Sequence, residues 1–149
     1  MPWTYRHASR EFRAFVEDVK ERTGLQSDNM VYTAVDGVFR TFRRRLVVAD
    51  AIAFANVLPS VLRAIFIQDW DPSEPPRPFT DRKSMTQEAQ ALRKNHNLTP
   101  DNAIEAVAWS LWRRVDHGEF ERVLARMPPE AREFWNVDAE PQEIAQRFA

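Results

Sequence analysis

Four arginines fall within six residues: Arg40, Arg43, Arg44 and Arg45. Guanidinium clusters take up carboxylates or phosphates because their N–H donors match two oxygens at once. On a helical wheel centred on Phe42, Arg40, Arg43 and Arg44 fall away from the apolar stripe, and Arg45 flanks it. This pattern predicts a solvated polar face that pairs with neighbouring acids. The functional alternative is a patch for an anion or an acidic partner. No aromatic residues interleave with the arginines on that face, so nucleic acid is not an expected partner.

Other groups capable of chemistry are dispersed. His7, His96 and His117 lie far apart, and Asp116-His117-Gly118-Glu119 is the one place where acids and a histidine meet. It sits at a predicted helix start, where an acid serves as a cap. There is no HExxH, no G-x-S-x-G and no Gly-rich phosphate loop in a chain with three glycines. The carboxylate pairs Glu17/Glu21 and Glu119/Glu121 have no histidine or buried partner to tune them. With no cysteine, disulfides, thiolate metal sites and a cysteine nucleophile are excluded. The sequence therefore offers no catalytic residue, no metal site and no cofactor site.

Three further positions stand out. Gly37 lies inside a predicted helix, where glycine costs about 1 kcal/mol relative to alanine. Thr33 and Thr41 lie one turn to either side of it. A similar strip, Ala106 and Ser110, appears on a later helix. Small side chains admit close helix approach, so these two helices are expected to cross near Gly37 and Ser110, as the contact between the two halves of the chain. Trp109 falls off the core stripe of its helix and must be covered, either within the chain or by a partner. Trp70, next to Pro72, would pin a connector to the helices or wall a ligand groove.

The elements that hold these residues are helical. Hydrophobic content is 44% and charged content 29%, and there are 3 Gly and 2 Tyr, which together read as one all-α domain over residues 1–149. Apolar spacing predicts helices over about 9–23, from Ser27, over 49–58, from Pro59, over 81–95, from Thr99-Pro100, from Asp116, from Pro128-Pro129, and a short last one over 140–148. The expected core includes Phe12, Phe15, Val16 and Val19, then Val31, Val35, Val38, Phe39, Phe42 and Leu46, and then Ile52 and Phe54. The stretch 69–80, DWDPSEPPRPFT, reads as an extended, stiff connector.

The chain also repeats itself. Leu25, Asp28, Asn29 and Arg40 recur 73 positions later as Leu98, Asp101, Asn102 and Arg113. Pro59, Arg63 and Asp69 recur 69 positions later as Pro128, Arg132 and Asp138. Gly24 and Asn97 both suit a left-handed helix end. This predicts a tandem duplication of a four-helix unit, with copies at about 9–71 and 82–140 joined by the Pro-rich connector. The offset change places one extra turn between Phe42 and Leu46.

LPSVLRAIFIQDWDPSEPPRPF, from Leu58 to Phe79, resembles the middle signature of an uncharacterised bacterial family, domain of unknown function 2267. GEFERVLARMPPEAREFW, from Gly118 to Trp135, resembles that family's closing signature. The chain departs from it at Asp69, where the family favours Gly, and at Phe66-Ile67, where paired aromatics are common. The resemblance implies an all-helical fold and carries over no catalytic residue.

The expectation is a non-enzymatic interaction or adaptor module whose partner is protein, self-association included. Arg40, Arg43, Arg44, Trp70 and Trp109 are its candidate partner or ligand surface. The alternative is a carrier or sensor of an apolar or aromatic small molecule held between the repeats, and an enzyme without a recognisable motif ranks third. The first residues, Met1 to Arg6, lack the apolar run of a signal peptide, and no stretch approaches a membrane span, so a cytoplasmic protein with no membrane partner is expected.

Overall fold

The computed structural model describes residues 1–92 and 99–148, and these residues form nine helices and no strand. In order they are α1 (Trp3–Arg6), α2 (Ala8–Thr23), α3 (Asp28–Arg43), α4 (Val48–Asn56), α5 (Ser60–Ile67), α6 (Arg82–Ala91), α7 (Ala103–Trp112), α8 (His117–Ala125) and α9 (Pro129–Phe134). Local chemistry sets most of the boundaries. Gly24 ends α2 in the left-handed conformation, and its N–H returns to the Lys20 carbonyl. Ser27 caps α3 by accepting from the Met30 N–H. Asp81 and Asp116 do the same for α6 and α8, accepting from Ser84 and Glu119.

Helix α3, as long as α2, packs most extensively on α6, while α7 packs most extensively on α2. The first and second halves of the chain thus exchange partners across the molecule. At the centre lies an aromatic cluster. The Trp135 ring stacks on Phe54 at 5.5 Å and meets Phe42 edge-on at 5.3 Å, and Phe66 and Phe120 also pack on Phe54. Each such ring removes about 150–250 Å² from water, which is why the short helices α5 and α9 can hold their places. Two buried ion pairs span the exchanged partners. Arg45 meets Glu88 of α6 at 2.9 Å through both Nη atoms, and Arg114 meets Asp18 of α2 at 3.1 Å.

Several expectations are corrected. Ile52 is half exposed, because α4 turns Phe54 and Ala55 inward instead. The helix expected from Thr99-Pro100 begins only at Ala103; the Asn102 side chain donates to the Arg22 carbonyl instead of capping. Residues 140–148 form turns, not a helix: the Arg147 guanidinium takes the carbonyls of Gln142, Glu143 and Ala145, and its backbone N–H goes to the Arg113 carbonyl. The connector is not extended throughout, since Glu74 N–H bonds back to the Asp71 carbonyl in a turn. Asn97, His96 and Leu98 lie outside the described residues, as does the predicted end of the helix over 81–95.

Gly37 is buried in α3, and the three atoms nearest to a Cβ built on it all belong to Ala89 of α6, the carbonyl oxygen at 3.0 Å. The close approach admitted by this glycine is therefore to α6. Ser110 is fully buried in α7, where its hydroxyl donates to the Ala106 carbonyl. Gly37→Ala would gain about 1 kcal/mol of helix propensity but would press a methyl group on backbone, which costs about 1–3 kcal/mol. The expected outcome is a melting temperature lower by about 2–4 °C, read by circular dichroism. A higher melting temperature would mean that α6 yields freely.

Candidate functional site

The last turn of α3 carries more polar groups than its backbone can satisfy alone. Arg43 turns inward, contrary to the expected solvated face: it is 6% exposed, and its Nη1 donates to the carbonyls of Phe66 at 2.7 Å and Gln68 at 3.1 Å. Arg45 is as deeply buried, against Glu88. Arg40 and Arg44 stay partly open. Arg40 Nε donates to Asp36 at 2.9 Å and its Nη2 to Asp69 at 3.3 Å, and Arg44 reaches Glu88 at 3.4 Å. The expected pairing of these arginines with neighbouring acids is present for Arg40, Arg44 and Arg45.

The chain leaves α5 through Asp69, the one described non-glycine residue with positive φ, at 54°. It then passes over the end of α3, where the Arg77 N–H donates to the Arg44 carbonyl at 2.9 Å. Trp70 packs on the edge of the core, with the Arg43 Cζ 5.9 Å from its ring centre. Between this strap and the end of α3 lies an open groove of about 450 Å³. Arg40, Arg43, Arg44 and Trp70 all line it. So do Val47 and Val48, which are exposed despite being apolar, and Asp71, Glu74 and Arg77 on the outer lip. Sequence reasoning missed the valines. Their signal was two adjacent apolar residues at a helix start with no place in the stripe.

Trp109 lies elsewhere. It is 7% exposed and sandwiched between the guanidiniums of Arg22, at 4.6 Å, and Arg113, at 4.4 Å. Its cover comes from within the chain, which leaves a partner little of the ring to touch. His117 is also structural in placement: it stacks edge-on to Trp112, and its Nε2 is 2.8 Å from the Trp112 carbonyl.

A second open groove, about 410 Å³, runs between α6 and α7 and is lined by Arg82, Gln90, Asp101 and Glu105 among others. The Glu11 carboxyl is pushed up by burial, against the opposing pull of the Thr4 hydroxyl and Arg114, but it faces a narrow slit between α2 and α5 rather than a groove. Among the described residues no three histidine or acidic side chains converge as a metal would require.

Burial pushes the Glu88 carboxyl up, but the Arg45 hydrogen bond and the charges of Arg45 and Arg44 outweigh it and hold the pKa below the ordinary value of 4.5. A carboxylate with a depressed folded-state pKa stabilises the protein above its unfolded pKa and loses that contribution as pH falls through the folded one. Denaturation midpoints should therefore decline below about pH 4.5. Glu88→Gln should cost about 2 kcal/mol at pH 7, less than for a fully buried pair, and flatten the acid decline. At Asp69 the backbone is left-handed, a conformation that glycine adopts without strain. Asp69→Gly should leave stability within about 0.5 kcal/mol, since the Arg40 pair there is largely solvated, whereas Asp69→Val should lower it by about 1–2 kcal/mol. Urea titration reads both.

No curated protein sequence matches this chain. No described helix is long and apolar enough to cross a membrane. The family model described as "Uncharacterized conserved protein (DUF2267)" matches residues 12–134, which include α3, the connector, the groove between them and the central aromatic residues Phe42, Phe54, Phe66 and Phe120. On that match, spanning most of its length, the chain belongs to the DUF2267 family.

Proposed function

We propose that this protein is a non-enzymatic interaction module that docks a partner protein, a second copy included, in the groove between the end of α3 and the connector. The observation that carries the reading is the convergence there of Arg40, Arg43, Arg44 and Trp70 with the exposed Val47 and Val48. Apolar residues left in water beside fixed guanidiniums are the composition of a binding surface. The carrier reading ranks second, because both large grooves are open and bordered by charged side chains. An intracellular, cytoplasmic setting is part of the proposal.

The architecture belongs to the same proposal: a single domain made of two related four-helix units, α2–α5 and α6–α9. Its support is a set of matching bonds 69 positions apart. Thr41 donates to the Gly37 carbonyl as Ser110 does to Ala106. Arg43 donates to the Phe66 carbonyl as Trp112 does to Trp135. The strap bond from Arg77 to Arg44 has a near counterpart, one residue out of this register at its donor, in the tail bond from Arg147 to Arg113. In this register the extra length of α3 lies at its N-terminal end, not between Phe42 and Leu46, and Trp109 corresponds to Arg40.

The test is co-purification of partners from cells with wild type and with the Val47→Glu/Val48→Glu variant, followed by binding of each purified partner and by light scattering for self-association. Both valines are exposed, so the variant should melt within about 1 kcal/mol of wild type. A partner bound at least about tenfold more weakly by the variant supports the reading. Partners and oligomeric state unchanged in the variant would overturn it.

A further inference from the structure

The three buried arginines among the described residues are not alike. Arg45 and Arg114 each have a carboxylate within hydrogen-bond distance, Glu88 and Asp18. Among the described residues Arg43 has none within 4 Å. Asp36 and Asp69 act on it only at longer range, and both are held by Arg40. Burial and the neighbouring charge of Arg40 depress its pKa, yet a guanidinium stays protonated in proteins. Of its three nitrogens only Nη1 is hydrogen-bonded; Nε is buried without a partner, and Nη2 makes no hydrogen bond either. Nε–H and one Nη2–H share the edge of the guanidinium that engages two oxygens of a carboxylate or phosphate side by side.

The positive charge is not needed for the bond that Arg43 makes to the backbone. Trp112 makes the same bond, Nε1 to the Trp135 carbonyl at 2.8 Å, with a neutral ring. Around Trp112 the cleft shrinks to about 150 Å³, lined by His117, Val137 and Ile144 among others. Around Arg43 it opens to about 450 Å³. Burying a guanidinium without a carboxylate partner, where a neutral donor would serve, carries a desolvation penalty unless an anion completes it.

We propose that Arg43 anchors an oxyanion, a carboxylate or a phosphate, carried by the ligand of the groove, with Arg40 at its side and Trp70, Val47 and Val48 against the ligand's apolar flank. The proposal deepens the docking reading by naming the chemical group that the groove takes. Nε is closed to solvent in the free protein, so seating the anion there requires a small rotation of the side chain, while Nη2 offers the first contact.

The experiment is a titration of the full chain with sodium acetate, sodium phosphate and sodium chloride at matched ionic strength. The reporter is the Arg43 Nε–H resonance, assigned by its loss in Arg43→Lys. The expected result is a saturable shift with acetate or phosphate, complete by about 50 mM for a millimolar Kd, and none with chloride. The stronger of the two anions identifies the group. Arg40→Gln should weaken binding several-fold. Arg43→Trp, which copies the chain's own solution at Trp112, should melt no lower than wild type and abolish the anion response of the Trp70 indole N–H. No saturable shift with either oxyanion, or an equal shift with chloride, would overturn the proposal. A silent Arg43 alongside loss of partners in the valine variant would sink the anion site and leave the docking reading. An oxyanion response with partner binding unchanged would do the reverse.

Discussion

A helix whose C-terminus is buried must find partners for carbonyls and side chains that water would otherwise satisfy. α3 and α7 both end against the aromatic centre, and this constraint organises what surrounds them. The Arg44 carbonyl at the end of α3 takes the Arg77 N–H, which pulls the connector across the helix end. The Arg113 carbonyl at the end of α7 takes the Arg147 N–H, which pulls the tail across in the same way. Side chains just before these ends tie down the carbonyls of Phe66 and Trp135, and so fix where α5 and α9 stop. The straps are consequences of helix burial, and the clefts beneath them are consequences of the straps.

The exchange of partners between the halves follows from the same burial. α3 can sit close to α6 because Gly37 offers no side chain at the Ala89 carbonyl. That approach sets Glu88 beside Arg44 and Arg45, and on the other side α7 sets Arg113 and Arg114 beside Asp18. Both carboxylates accept from two arginines, which spreads the desolvation of each acid over more than one bond. Such pairs add little net stability over apolar residues of the same volume, but they fix register, because a one-turn slip would strand a buried charge.

How far the sequence reached follows the range of the forces involved. Helix positions were legible because they depend on local periodicity and on caps at Ser27, Asp81 and Asp116. Ile52 was misplaced because a short helix of mixed pattern leaves its direction to tertiary packing. The last helix was misplaced because one arginine, Arg147, captures carbonyls that a helix would need. Four of the five residues read as a partner or ligand surface line one groove, and Trp109 does not. The burial of Arg43 could not be read from a helical wheel. A wheel gives direction relative to a helix's own stripe, and here the cover comes from a connector distant in sequence.

The charge arrangement narrows what such a groove can accept. Its inner wall is basic, with Arg40, Arg43 and Arg44, while its outer lip carries two acids, Asp71 and Glu74, beside one cation, Arg77. The Asp71 carboxyl is held below its ordinary pKa by the Ser73 hydroxyl and N–H, so it remains charged over the physiological range. An extended polyanion crossing the lip would meet these acids before it reached the arginines, and the field of the inner wall is screened within about 8–10 Å. A ligand with one anionic group and an apolar neighbour avoids that repulsion: it passes the lip once and rests its apolar part on Val47, Val48 and Trp70. On the proposed docking reading, such a lip disfavours a polyanion as much as the floor favours a single anionic group.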